Sequence, residues 1–486
     1  MKKRTVVFLV ILAMLCGSAL TFALTGSSIA NQAALGKGVL ASAAGGLKPD
    51  EAKKLGTALD LIQSNYYQDV DRTKLLDGAI NGMTQSLDDP YSSYMGKKTA
   101  EEFEESIEGS FSGIGAEVSS ENGNVVVVSP IKGSPAEKAG IRAKDIILTV
   151  NGESLHGLDL NDAVAKIRGP KGSEAKLTIK RSGSAAPIEY TIIRDDVDVE
   201  TVKAHMEPGK IGVIEITQFS LNTGERFKQE LSTLEKEGMK GLVIDVRNNP
   251  GGVLSVVIDI AEQFVPKGKV IVQVEDKNKK RDQNLSKGSG KPYPVTLLMN
   301  KGSASASEIL AGALQQSAGA KLMGENSFGK GTVQTSYNKQ FDDGSLLKIT
   351  IAKWLTPNGS WIHQKGLKPD IAVAQPDYFS VAPINKETKL KADMNNTDVK
   401  SAQVMLEGLG YKPGRKDGFF DGKTVSAVKS FQKAQKLGVT GEIDAKTAEA
   451  LENELIKRIR DPKFDNQLKA AIGEIQKEIT AIASNH

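Results

Sequence analysis

Apolar positions along the chain change their spacing several times, and each change predicts a different kind of element. After Lys2, Lys3 and Arg4 the residues are apolar from about Thr5 to Leu24, a stretch of about 20 residues, long enough to span a bilayer. A basic start before such a run predicts a signal peptide or membrane anchor over 1–30 and puts the rest of the chain outside the cytoplasm. Ser28-Ile29-Ala30 offers small residues for cleavage, while the length of the run favours an anchor. A Ser-, Gly- and Ala-rich stretch then reads as a stalk, so 31–95 is expected to hold the stalk and an N-terminal helical region. Leu55, Leu59 and Ile62, and then Leu75, Leu76, Ala79, Ile80 and Met83, recur at helical spacing. They predict two helices ended by Asp88-Asp89-Pro90.

Over 96–194 the pattern shortens to strands and glycine turns. Val125–Val128, Ile146–Val150, Ala175–Lys180 and Ile188–Ile193 read as strands, with a short helix at Leu160–Ile167. Over 195–375, strands at Ile211–Ile216, Leu242–Val246, Val270–Val274, Val295–Met299 and Leu347–Ile351 alternate with helices at Thr223–Glu237, Leu254–Phe264 and Ser305–Gln316, which predicts an α/β core. A polar linker (376–395), a small helical domain (396–455) and an amphipathic, charged helical tail (456–486) follow.

Composition narrows the partners. The 486 residues suffice for several domains, and 39% hydrophobic with 25% charged residues is ordinary for a globular chain. A net charge of +4 spread over this length argues against nucleic acid as a partner. The single cysteine, Cys16, allows neither an intramolecular disulfide nor a Cys-based zinc site, and Leu15 before it argues against a lipoprotein. No cofactor is expected.

One strand-to-helix junction, Asn300-Lys-Gly-Ser-Ala-Ser-Ala-Ser-Glu-Ile309, places serines where a helix N-terminus leaves backbone N–H groups free to hold an oxyanion. Taken alone, the same residues read more readily as a helix cap, Ser followed by Glu. A nucleophilic serine needs a base; of the four histidines, His156 lies in the small module and His486 at the terminus, and neither His205 nor His363 sits in a small-residue, glycine-rich setting. Lysine can serve if burial lowers its pKa. Lys330 stands between two glycines before a strand, and Gln334, four residues on, shares a face with it and could orient it. On spacing alone Lys330 also reads as a surface lysine.

Taken together, the 300–309 segment and Phe328-Gly-Lys-Gly-Thr-Val-Gln334 resemble the signature pair of the C-terminal processing peptidases, serine endopeptidases with an inserted PDZ domain. The resemblance implies Ser305 as nucleophile, 25 residues before Lys330 as general base, with Gln334 orienting the lysine. It implies a multidomain α+β fold: a PDZ module before an α/β core of crotonase-like, ClpP-related type, then a small all-α C-terminal domain. In Asp245-Val-Arg-Asn-Asn-Pro-Gly-Gly252 it implies a glycine N–H, of Gly251 or Gly252, joining that of Ala306 in an oxyanion hole. Asp245 and Arg247 are expected to tie the loop to the core.

Ser112–Glu117 and Pro130–Ile141 resemble a bacterial PDZ domain, implying a carboxylate loop at Gly113, Ile114, Gly115 and Ala116 that binds substrate C-termini by strand addition. Arg168 either couples peptide binding to the active site or pairs with a local carboxylate; the pairing is favoured. Asp398–Tyr411, Asp417–Gly422 and Ala427–Asp444 resemble a three-helix peptidoglycan-binding domain, with Leu406, Leu409, Val428, Phe431 and Leu451 as core. Asp417 and Asp421 suit turn and cap roles better than metal binding, so no metal site is expected. The expected partners are therefore protein C-termini, peptidoglycan and, through the N-terminal segment, membrane. A homodimer through the 48–87 helices and the tail after Glu452 is a further expectation. The competing reading is a non-catalytic cell-wall scaffold, which leaves the Ser305/Lys330 pair unexplained. A cell-wall hydrolase lacks its zinc cluster or Cys/His pair.

Overall fold

The computed structural model describes residues 46–484 apart from 122 and 185. The expected signal or anchor, Cys16 and residues 31–45 of the stalk lie outside the described residues, as does His486. Among the described residues no helix is long and apolar enough to cross a membrane. The chain divides into two compact units, Met1–Tyr94 and Met95–His486.

In the first unit, α1 (Pro49–Asn65) opens with Pro at its first position, and Glu51 accepts the Lys48 N–H at 2.9 Å. Asp71 caps α2 (Arg72–Gln85) by accepting the Thr73 N–H at 2.8 Å. Local capping rather than burial defines these helices. Leu55, Leu61, Ile62, Leu76 and Met83 are exposed, and Thr84 is the buried residue of α2.

The second unit begins with α3 (Lys97–Glu108), ended by Gly109 in the left-handed conformation. An antiparallel sheet follows in chain order: β1 (Ala116–Glu121), β2 (Asn124–Pro130), β3 (Ile146–Val150), β4 (Glu174–Lys180) and β5 (Ile188–Ile193). Helix α4 (Leu160–Ile167) lies between β3 and β4. Ile114, Val127, Ile147, Leu155, Leu177 and Ile179 fill its core.

The larger sheet contains β6 (Val202–Glu207), β7 (Ile211–Ile216), β8 (Gly241–Asp245), β11 (Val295–Met299), β12 (Lys321–Gly324) and β15 (Ile371–Ala372), in that spatial order. β6 and β7 are antiparallel and the remaining pairs parallel. A smaller antiparallel sheet joins β13 (Thr332–Tyr337) to β14 (Leu346–Leu355), β14 to β9 (Val270–Asp276), and β9 to β10 (Arg281–Leu285). The near-continuous apolar runs of β7, β8 and β11 follow from burial on both faces. One face carries α5 (Thr223–Lys236), α6 (Leu254–Glu262) and α7 (Ala306–Ala318) over the main core.

The opposite face receives the helical tail. After α8 (Thr397–Gly408), α9 (Gly422–Ala434) and α10 (Ala445–Ile459), which build the C-terminal domain, α11 (Asn466–Ser484) returns to the large sheet. Its Leu468, Ala471 and Ile475 pack on Ile211, Val213, Val243, Leu298 and Met323. The apolar stripe that suggested dimerisation is thus spent within the chain. The C-terminal domain is an insertion between β15 and α11, with Leu406, Val428, Phe431 and Leu451 buried in its centre. Asp421 caps α9 by accepting the Thr424 N–H at 2.9 Å, and Asp417 pairs with Arg415, which holds its carboxyl at about 2.

A buried ion network fixes this return. Arg247, just after β8, donates to both oxygens of Asp245 and to Asp465, at 2.8 and 3.0 Å, ahead of α11. Burial works against ionising Asp465, yet the guanidinium holds its carboxyl below the usual range. A carboxylate with a folded pKa below its unfolded value contributes fully above the latter and loses that contribution as pH falls through the former. Asp465→Asn is therefore expected to lower stability by roughly 1.5–3 kcal/mol at neutral pH, because Arg247 keeps Asp245 but loses its second carboxylate. In acid denaturation followed by circular dichroism, the gap between variant and wild type should close below the unfolded value of 3.8. A gap independent of pH would count against the ion pair.

Candidate active site

The junction between β11 and α7 separates the three serines. Ser303 is buried; its hydroxyl donates to the Val246 carbonyl at 2.8 Å and accepts the Asn300 N–H at 2.9 Å. Ser307 is also buried and donates to the Asn249 carbonyl at 2.9 Å. Ser305 is half-buried and lines a cavity of about 600 Å³. Its backbone is at φ 55° and ψ −110°, where a side chain is strained, not in the extended conformation of an ordinary cap. Such strain persists only where the surroundings over-determine it.

They do so here from three sides. The Ser305 N–H donates to the Glu308 carboxylate at 2.9 Å. The Ala304 N–H donates to the Asn249 carbonyl at 3.0 Å. Gly251 approaches so closely that a Cβ on it would lie 2.8 Å from the Ser305 Cβ and 3.0 Å from the Ala306 nitrogen. Gly251 therefore has to be glycine, and its φ of 108° agrees.

The two glycines of this loop differ in their surroundings. The Gly251 N–H donates to the buried Asn249 Oδ1 at 2.9 Å, while the Asn249 Nδ2 holds the Ile216 carbonyl. Gly252 lines the cavity with Ser305 and Ala306, and Ala306 opens helix α7. A Cβ on Gly252 would meet the Phe219 carbonyl oxygen at 2.2 Å. Asp245 and Arg247 pair with each other and with Asp465 behind this loop.

Lys330 and Gln334 line the same cavity. Lys330 precedes β13 and Gln334 lies within it, beyond a register shift against β14. The Gln334 Nε2 donates to the Thr332 and Thr350 hydroxyls at 2.9 and 3.0 Å, which leaves its Oε1 as the acceptor turned elsewhere. Ile107, Leu221, Val253, Ile309 and Trp354 supply apolar wall, and Phe103, Glu104 and Glu108 add one face of α3.

Several partners were not anticipated from the sequence. Glu308, fully buried, accepts from Ser305, Ser327, Gly329 and Lys330, and so joins the serine turn to the lysine loop. It had registered only as the glutamate of a helix cap. Asn249 gave no signal beyond its glycine-rich context. His363, set aside for its surroundings, is brought by the fold beside glycine after all: its Nδ1 accepts the Gly331 N–H at 3.3 Å.

At the β1–β5 sheet, Gly113 and Ile114 lead into Gly115 and Ala116, whose cavity of about 60 Å³ is walled by Phe111, Val164 and Ile167. Gly115 is at φ 77°, and a Cβ there would fall 2.3 Å from that of Ser134. Arg168 follows α4, pairs with Glu105 of α3 at 2.5 Å, and lies 4.6 Å over the Phe111 ring. The expected carboxylate partner is thus on the helix that also lines the Ser305 cavity. Among the described residues no cluster of three or more His, Cys, Asp or Glu side chains could hold a metal ion.

Sequence comparison matches residues 210–373 to Peptidase family S41, 126–181 to a PDZ domain and 395–451 to a peptidoglycan binding domain. Residues 14–99 match the N-terminal domain of the activating protease CtpB. The carboxy-terminal processing protease CtpB of Bacillus subtilis is 48% identical over 86% of this chain and 88% of its own length. CtpA of the same organism is 45% identical over 97% and 98%. The photosystem II D1 C-terminal processing protease structure is 29% identical over 66% of this chain and 92% of its own, with a TM-score of 0.39. The chain is accordingly a serine peptidase. It belongs to the carboxy-terminal processing proteases of family S41 and carries a PDZ domain.

Proposed function

We propose that this protease cleaves extracytoplasmic proteins with Ser305 as nucleophile and Lys330 as general base. The observation that carries this reading is the fate of the three serines. Ser303 and Ser307 spend their hydroxyls on backbone carbonyls, whereas Ser305, held strained, opens onto the cavity shared with Lys330 and Gln334. Neutral Lys330 takes the Ser305 proton as Oγ attacks the peptide carbonyl, and the Gln334 Oε1 steadies the resulting ammonium. The Gly252 and Ala306 N–H groups receive the oxyanion, since that of Gly251 is engaged by Asn249. Collapse gives the proton to the leaving amine and an acyl ester on Ser305, which water then hydrolyses.

The PDZ cleft would take a substrate C-terminus, and the C-terminal domain would hold the enzyme at peptidoglycan. The peptidoglycan binding match and the basic, apolar N-terminus support a wall-side location with a membrane anchor or signal. The exposed apolar side chains of α1 and α2 support a homodimer through those helices. Acid quenching during turnover of a peptide ester tests the chemistry. The acyl mass is expected on the tryptic peptide 302–321 and to be absent from Ser305→Ala. Turnover by that variant would overturn the assignment.

A further inference from the structure

The loop that carries Lys330 is Gly329–Lys330–Gly331, which lacks flanking side chains to hold it in place. Glycines leave the backbone free, and a lysine on a free backbone is a poor base, since its ammonium would sweep a wide arc. Yet each backbone polar group of these three residues has a partner. The Gly329 and Lys330 N–H groups donate to Glu308 at 2.7 and 2.9 Å. The Gly329 carbonyl accepts the Gln364 N–H at 2.8 Å, and the Gly331 N–H donates to His363.

The two remaining carbonyls are held by indoles. Trp354 Nε1 donates to the Lys330 carbonyl at 2.8 Å, and Trp361 Nε1 to that of Gly331 at 2.9 Å, which also accepts the Trp354 backbone N–H at 3.1 Å. These are the two tryptophans of the chain. Trp354 is buried, so its size has a packing reason. Trp361 is 45% exposed, and packing does not account for it. Its ring stacks on His363 at 5.1 Å and 14°, and the Lys353 ammonium lies 5.2 Å over it. Lys353 is in turn paired with Glu275 at 2.6 Å. The fit against the loop is close: a Cβ on Gly331 would stand 2.8 Å from Trp361 Nε1, which explains a glycine at that position.

We propose that Trp361, together with Trp354 and His363, is a positioning residue for Lys330. The aromatic shelf fixes the peptide planes on the C-terminal side of the lysine, as Glu308 fixes those on its N-terminal side. The inference rests on the reading of Lys330 as the base. An indole suits the task because it offers a single N–H donor on a rigid plane with no acceptor to compete.

The test uses the full chain with Trp361→Phe, which keeps an aromatic ring and loses the N–H. The expected result is a kcat lowered about tenfold with KM changed less than about twofold and an unchanged melting temperature. Hydrogen exchange of peptides covering 329–337, compared in the Ser305→Ala background, should be faster when Trp361→Phe is added. A kcat within twofold of wild type, or unchanged exchange, overturns the proposal. Lys330→Ala in the same assay keeps the two questions apart. Turnover surviving there removes the base assignment, and the exchange data still decide whether the shelf holds the loop.

Discussion

Ser305→Ala and Lys330→Ala are each expected to lower the kcat for casein by at least about 10³-fold, and the double variant by little more than either alone. The two side chains act in one step: without the base the hydroxyl is a poor nucleophile, and without the hydroxyl the base has no proton to take. Their losses therefore do not add. The neighbouring serines provide the contrast. Ser303→Ala leaves the Asn300 N–H without its partner, while the Val246 carbonyl keeps the Asn249 N–H at 3.3 Å; Ser307→Ala removes one of two donors from the Asn249 carbonyl, which keeps the Ala304 N–H at 3.0 Å. Ser303→Ala should cost about 1–3 kcal/mol of stability and Ser307→Ala about 1 kcal/mol, while turnover at low temperature persists. Casein cleavage with thermal melts of all four single variants separates the roles. Activity retained by Ser305→Ala, or lost equally from the three serine variants at full folding, would sink the assignment.

What the sequence disclosed depended on the range of the interactions. Strands buried on both faces, such as β7, β8 and β11, announce themselves as apolar runs, and α5 and α6 by their spacing. β13 and β10 do not, because their residues are half-buried or exposed and mixed in character; pairing across a smaller sheet makes them strands. The tail illustrates the same limit from the other side. Its apolar stripe was legible, and the partner was not, since Leu468 and Ile475 meet strands 145 to 264 positions away in sequence.

In the site, two short motifs pointed to the serine turn and the lysine loop, and the resemblance supplied their roles. The residues that bring the two together were hidden in other readings. Glu308 fits a helix cap perfectly well at the level of sequence, and that reading is half right, because its carboxylate does accept the Ser305 N–H. Its other three donors come from residues 327–330 and exist only in the folded chain. His363 was likewise judged by its neighbours in sequence, whereas the neighbour that matters is Gly331.

Removing the Glu308 carboxylate is the second change expected to have a large effect, and its chemistry is demanding enough to separate two explanations. One oxygen accepts from Ser327 Oγ and the Gly329 N–H, the other from the Ser305 and Lys330 N–H groups. In Glu308→Gln the amide NH₂ must face one of these pairs. The Ser327 hydroxyl can turn and accept, but a backbone N–H cannot, so either orientation sets a donor against a donor. Glu308→Ala leaves all four donors buried around a cavity. Both variants should lose roughly 3–5 kcal/mol of stability. Activity should fall further than stability explains, since the strained Ser305 turn and the Lys330 loop are anchored on the same carboxylate. A displacement of either by about 1 Å is enough to lower kcat about 10²-fold. Measuring kcat per folded molecule well below the unfolding transition isolates that share. A kcat that tracks only the folded fraction would reduce Glu308 to a structural residue, whereas a kcat falling in well-folded Glu308→Gln protein would make the buried carboxylate the hinge on which nucleophile and base are aligned.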